Sequence, residues 1–126
     1  MSLRSELARV RGLGSAREGA GHWWTQRMTA VALVPLVIWL VVQLAAHAGA
    51  DHAAVVAWLR DPLTAIPMVL LIAATFWHAE LGLQVVIEDY VHTRWLRVAS
   101  IALTKFAAAS LAVIGVFSVL KIAFSG

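Results

Sequence analysis

Met28 to His47 reads MTAVALVPLVIWLVVQLAAH, and this run decides the fold. It holds no Asp, Glu, Lys or Arg. At 1.5 Å per residue its length matches the roughly 30 Å hydrocarbon layer of a bilayer. Pro35 would break such a helix in water, but a spanning helix tolerates proline where neighbours re-satisfy the freed carbonyl. The run therefore predicts a first membrane span, kinked near Pro35 and continuous through it.

Working outward, the chain divides by the same criterion. Residues 1–27 are a polar arm carrying Arg4, Arg9, Arg11, Arg17 and Arg27. With no short apolar stretch ending in small residues, the arm does not read as a signal peptide. Residues 48–62 read as a loop, with an amphipathic turn around Val55 to Leu59 and an Arg60-Asp61-Pro62 stop. Residues 63–87 form a second span, 88–97 a polar link, and 98–124 a third span. Lys105 and Lys121 sit near the ends of that third span, where long stems reach headgroups. The run Ala107-Ala108-Ala109-Ser110 would let another helix come close. Arginines crowd the N-terminal arm, Arg94 and Arg97 mark the second link, and the first loop has Arg60 alone. The positive-inside rule then puts the N-terminus and the second link in the cytoplasm, with the first loop and C-terminus outside. The expectation is an all-α, multi-pass protein of the inner (cytoplasmic) membrane.

Composition narrows the function classes. Of 126 residues, 61% are hydrophobic and 13% charged, against roughly 45–50% and about 25% in soluble domains. There is no cysteine, which excludes disulfides, thiolate zinc sites and iron–sulfur clusters held by this chain alone. A formal charge of +3 reads as topology signal at span ends, so no nucleic acid is expected as a partner.

The second span carries the chemistry, because His78, Glu80 and Gln84 interrupt an apolar stretch where polar groups are costly unless paired. His78 precedes Asp89 by 11 residues, which is three helical turns plus roughly 20° and ~16 Å of rise. The two share a face, with Gly82 on the same stripe and Tyr90 at the boundary above. A neutral imidazole at that depth suits an axial iron ligand. It equally suits an interhelical hydrogen bond. Gly82 admits a flat ligand or a neighbouring helix. Glu80 lies about 200° around from His78, and Gln84, one turn on, is a candidate partner for it. Trp23, Trp24 and Trp95 read as interfacial belt residues, and His47, His52 and His92 as solvated loop residues.

His78-Ala79, Gly82, and Asp89-Tyr90-Val91 resemble the H-A-x-x-G…D-Y-V pattern of the small hydrophobic membrane anchors of succinate dehydrogenase (complex II). Gly12-Leu13-Gly14-Ser15-Ala16 and Arg27-Met28-Thr29-Ala30-Val31 are similar to that family's G-L-G-x-A and R-x-T-A-V segments. The resemblance covers nearly the whole chain. It implies three spans forming half of a two-subunit haem-binding bundle, with His78 an axial ligand to haem b and a partner anchor supplying the other. It implies that Tyr90 hydrogen-bonds ubiquinone while Asp89 assists proton delivery. His22 and Arg27 become candidates to pair with the haem propionates, with an ordinary positive-inside anchor as the other reading of Arg27. The implied partners are a second anchor (cytochrome b) subunit, an iron–sulfur subunit, a flavoprotein subunit and the lipid membrane.

As an enzyme the chain would be non-autonomous, a subunit of succinate dehydrogenase with no catalysis of its own. Three alternatives stand beside that reading. One is a cofactor-free structural anchor, one a fumarate reductase anchor, and one a transporter using His78 and Glu80 as a relay.

Overall fold

The computed structural model describes residues 16–125, the side chains of residues 16–19 excepted. Residues 1–15 lie outside it, with most of the expected N-terminal arm and of the G-L-G-x-A segment. Four α-helices follow in order: α1 Ala16–Ala46, α2 His52–Arg60, α3 Pro62–Tyr90 and α4 Arg94–Phe124. Three of them, over Ala20–Ala46, Pro62–Tyr90 and Arg94–Phe124, are long and apolar enough to cross a membrane. The chain is thus an all-α membrane protein with three spanning helices.

The helices overrun the spans expected from hydropathy at most ends. A 29-residue α3 is ~44 Å long, well beyond ~30 Å of hydrocarbon. Apolar composition stops at the headgroups, whereas an α-helix continues for as long as its backbone bonds are satisfied. So α1 already includes Arg17 to Arg27, and the link expected over 88–97 shrinks to three residues between Tyr90 and Arg94. Helix α1 passes through Pro35 without interruption.

The expected 48–62 loop is largely a helix. Asp51 caps α2, its carboxylate accepting from the Ala54 amide at 2.9 Å. Asp61 both ends α2 and opens α3, accepting from the Leu63 amide at 3.0 Å, with Pro62 in the first turn. Proline is favoured there because the first amides of a helix have no intrahelical acceptor. The Arg60-Asp61-Pro62 stop is therefore also a start. Ahead of it, the Ala50 amide bonds the His47 carbonyl at 2.9 Å, and Gly49 takes φ 81° inside that turn, a conformation that glycine adopts without a Cβ penalty.

Helix α3 is the centre of the molecule. It packs against α1 on one side and α4 on the other, while α1 and α4 make no close backbone approach among the described residues. Most of the buried residues lie on it: Thr64, Ala65, Leu71, Glu80 and Leu81. Helix α2 closes the end of the layer, touching α3 and α4 and meeting α1 through side chains. Trp58 donates to Gln43 Oε1 at 3.1 Å, its ring lies 4.8 Å from that of His47, and His47 Nδ1 is 2.8 Å from the Gln43 carbonyl. His47 is thus half-buried in this cluster, not solvated as its loop position suggested. His52 and His92 are exposed.

Three hydroxyls in the spans are satisfied locally. Thr25, Thr104 and Ser118 each donate to the carbonyl four residues back, at 2.9, 2.8 and 2.7 Å, which lets a polar side chain sit in lipid without a partner from another helix.

Candidate functional site

The seam between α1 and α3 is built from His22, Gln26 and Thr29 on α1, one helical stripe at four- and three-residue spacing. Opposite them on α3 stand His78 and Gly82. Thr29 Oγ1 lies 3.0 Å from His78 Nδ1. One turn on, a Cβ at Gly82 would lie 3.7 Å from Gln26 Nε2, so the opening at Gly82 faces the Gln26 side chain. The helices run antiparallel, and continuing the register places His22 within a turn of Val86.

This seam holds more polar capacity than it uses. His22 Nε2 and Gln26 Oε1 are buried and lack a hydrogen-bond partner among the described residues. Such groups cost roughly 1–3 kcal/mol each when left bare. The His78 ring is half-buried, with one nitrogen engaged by Thr29. The residues present fit a haem, to which His78 would offer one imidazole nitrogen. Among the described residues no three His, Asp or Glu side chains converge to chelate an ion.

The other expected site residues lie apart from His78. Helix α3 is unbroken from Pro62 to Tyr90, so Asp89 keeps its stripe above His78 and sits ~16 Å further along the axis. Asp89 and Tyr90 occupy the last turn and are exposed, Tyr90 to 78%. Arg27 is exposed, its guanidinium carbon 5.3 Å from the centre of the Trp23 ring. Trp23 and Trp24 are exposed as well, their rings 5.7 Å apart. Arg27 is thereby held at the aromatic layer at the entry of the span, while His22 points its Nε2 into the interior.

Glu80 has a different partner from the one its spacing suggested. Lys105 Nζ of α4 donates to Glu80 Oε1 at 2.9 Å. Gln84 instead donates to Glu88 Oε1 at 2.9 Å. An i, i+4 amide was a local candidate, but Glu80 is only 8% exposed, and a cation from the next helix compensates a buried carboxylate better than a neutral amide. Lys105 accordingly reaches inward and does not snorkel. The relay between His78 and Glu80 loses its geometry, because His78 faces α1 and Glu80 faces α4.

The small residues of α4 border a groove instead of closing it. Ala108, Ala109 and Ala112 line a space of about 250 Å³ with Ala73, Trp77 and the Glu80–Lys105 pair. The tight contact lies further along, where a Cβ at Gly115 would meet Ile72 Cγ2 at 3.0 Å.

Sequence reasoning missed Gln26 and Lys105 as site-forming residues, and took Thr29 only as part of a motif. The signal for the first was present: His22, Gln26 and Thr29 form a polar stripe at helical spacing on the entry to an apolar span. No local signal paired Lys105 with Glu80, 25 residues away.

The chain is similar to known proteins over most of its length. Residues 1–119 match the family described as succinate dehydrogenase/fumarate reductase transmembrane subunit. The succinate dehydrogenase hydrophobic membrane anchor subunit of Rickettsia bellii is 37% identical over 95 residues, which is 75% of this chain and 76% of that protein. The succinate dehydrogenase membrane anchor subunit of Reclinomonas americana is 30% identical over 92 residues, 71% of this chain and 77% of that one. The corresponding hydrophobic anchor of Paracoccus denitrificans is 32% identical over 79 residues, 63% and 61% of the two chains.

Proposed function

The chain belongs to the succinate dehydrogenase/fumarate reductase transmembrane subunit family, and from that premise we propose that it is the anchor that helps hold haem b and builds part of the site where ubiquinone is reduced. Its coarser role, a membrane anchor subunit of succinate dehydrogenase, follows from the family and its relatives. Catalysis belongs to the complex. A second anchor subunit would supply the other half of the bundle and a further residue to hold the haem, while flavoprotein and iron–sulfur subunits deliver electrons from succinate. The complex sits in the inner (cytoplasmic) membrane with the N-terminus and the α3–α4 link on the cytoplasmic side, as the arginine distribution favours.

The observation that carries this reading is the α1–α3 seam. His78 stands mid-span with one ring nitrogen engaged by Thr29, in line with His22 Nε2 and Gln26 Oε1, which are buried and have no partner among the described residues. His78 would bind the iron. His22, and Arg27 at the headgroup level, would face the propionates, since a cation pairs with a carboxylate more strongly away from water. Gly82 leaves the wall beside His78 low. Bound haem b supplies a one-electron carrier within the membrane. At the end of α3, the exposed Tyr90 phenol donates a hydrogen bond to a quinone carbonyl. Asp89 beside it, open to water, passes on the protons that reduction to quinol consumes.

A cofactor-free anchor is the second reading, and the same Thr29–His78 contact favours it, because an interhelical hydrogen bond needs no further partner. A fumarate reductase anchor differs in direction, which cofactor potentials outside this chain set. The test is the reduced-minus-oxidised spectrum of the solubilised complex with and without His78→Ala. A b-type haem band abolished or markedly shifted in the variant, with succinate oxidation by the soluble subunits retained, is the expected result. An unchanged band would remove His78 from the iron and leave the structural anchor as the reading.

A further inference from the structure

Thr29 differs from Thr25, Thr104 and Ser118 in that its hydroxyl meets a side chain of another helix. Its side chain is buried, at 6% exposure. Its Oγ1 lies 2.9 Å from the Thr25 carbonyl, 2.9 Å from the Gln26 carbonyl and 3.0 Å from His78 Nδ1. A hydroxyl has one proton and two acceptor lone pairs, and a carbonyl oxygen only accepts. If the proton turned toward His78, Oγ1 would face two carbonyl oxygens at 2.9 Å with no proton in either contact. The proton therefore points to a backbone carbonyl, as it does in Thr25, Thr104 and Ser118. What Thr29 presents to the imidazole is a lone pair.

That leaves one arrangement of the ring. Nδ1 must carry the proton and donate it to Oγ1, because two lone pairs would otherwise meet at 3.0 Å. In a neutral imidazole the other nitrogen, Nε2, then bears the free lone pair. We propose that Thr29 is a positioning residue that holds His78 in the Nδ1–H tautomer and locks its orientation, so that Nε2 is ready to bind iron. This inference rests on the reading of His78 as a haem ligand. Donation from Nδ1 also raises the basicity of Nε2, as hydrogen-bonded outer partners do for metal-ligating histidines. Thr29 and His78 are 49 residues apart in sequence, so the tautomer is imposed across two helices.

The test uses the assembled complex carrying Thr29→Val, Thr29→Ala or Thr29→Ser, with His78→Ala as the reference. The readouts, taken per assembled complex, are the haem midpoint potential, the low-spin ferric electron paramagnetic resonance signal and the rate of haem loss in detergent. Removing the hydroxyl weakens Nε2 as a donor to ferric iron. Valine and alanine should therefore raise the midpoint potential, shift the ferric signal and speed haem loss about tenfold or more, while serine restores all three. Alanine adds no bulk and keeps the comparison should the valine variant fail to assemble. Wild-type potential, signal and retention in the alanine variant, with the haem band absent in His78→Ala, would overturn the role of Thr29 alone. A band that survives His78→Ala would overturn the ligand assignment beneath it.

Discussion

Helix α3 has two seams, and they are closed by different physics. Toward α1, the contacts are neutral and incomplete: a Thr–His hydrogen bond, an amide beside a glycine, and two buried polar atoms with no partner among the described residues. Toward α4, the contacts are charged and tight: the Glu80–Lys105 ion pair, and Ile72 against Gly115. Helices in lipid gain little from burying apolar surface against one another, so association rests on packing and on polar pairs. At the α4 seam the buried carboxylate and the closest approach are both met by this chain's own residues, with a groove left beside them. The α1 seam is left with capacity that a bound group could satisfy, and there the candidate site lies.

On that contrast, the α4 seam should respond most strongly to mutation. Lys105→Met leaves the buried Glu80 carboxylate without its cation. Lys105 is half-exposed, so the cost should fall between the about 1 kcal/mol of a surface pair and the roughly 3–5 kcal/mol of a broken buried one. The thermal midpoint of the purified complex should drop, and the double variant Glu80→Met/Lys105→Met should recover most of the loss. Equal stability of the single variant and the parent would mean that the pair does not hold this seam.

Gly115→Leu is expected to come next. A side chain there must displace Ile72, and overpacking of this kind costs about 1–3 kcal/mol. The same midpoint should fall, and Ile72→Ala should partly restore it. Failure of the second substitution to help would show that Gly115 is not the closest approach.

The smallest effect belongs to the other glycine. A Cβ at Gly82 makes only ordinary contact with Gln26, so Gly82→Ala should change stability by less than about 0.5 kcal/mol. This variant sharpens the comparison. Haem lost from a complex of unchanged midpoint would assign the space at Gly82 to the cofactor, while a large fall in the midpoint would show that the α1 seam is as tight as the α4 seam.

The two glycines also show where sequence reading reached its limit. Gly82 stood out because it falls on the stripe of His78, and Ala107 to Ser110 because small residues permit approach. Neither pattern reveals which neighbour is present. The structure puts the tight approach at Gly115 and a groove beside Ala108 and Ala109. Similarly, Asp51, Asp61 and Pro62 were legible as turn formers, but their work as caps of a separate helix depends on α2 folding back over the ends of α1, α3 and α4.

By itself, the sequence determined three membrane spans and the placement of one histidine three turns below an Asp-Tyr pair. Both follow from local rules: a span is set by the transfer of its own residues into hydrocarbon, and helical spacing is constant along an unbroken α3. Only the tertiary structure decided that α3 lies between α1 and α4, that Lys105 and not Gln84 answers Glu80, and that Thr29 meets His78. Those outcomes hang on the register between helices far apart in sequence. A polar side chain in lipid takes whichever complementary group that register brings within reach.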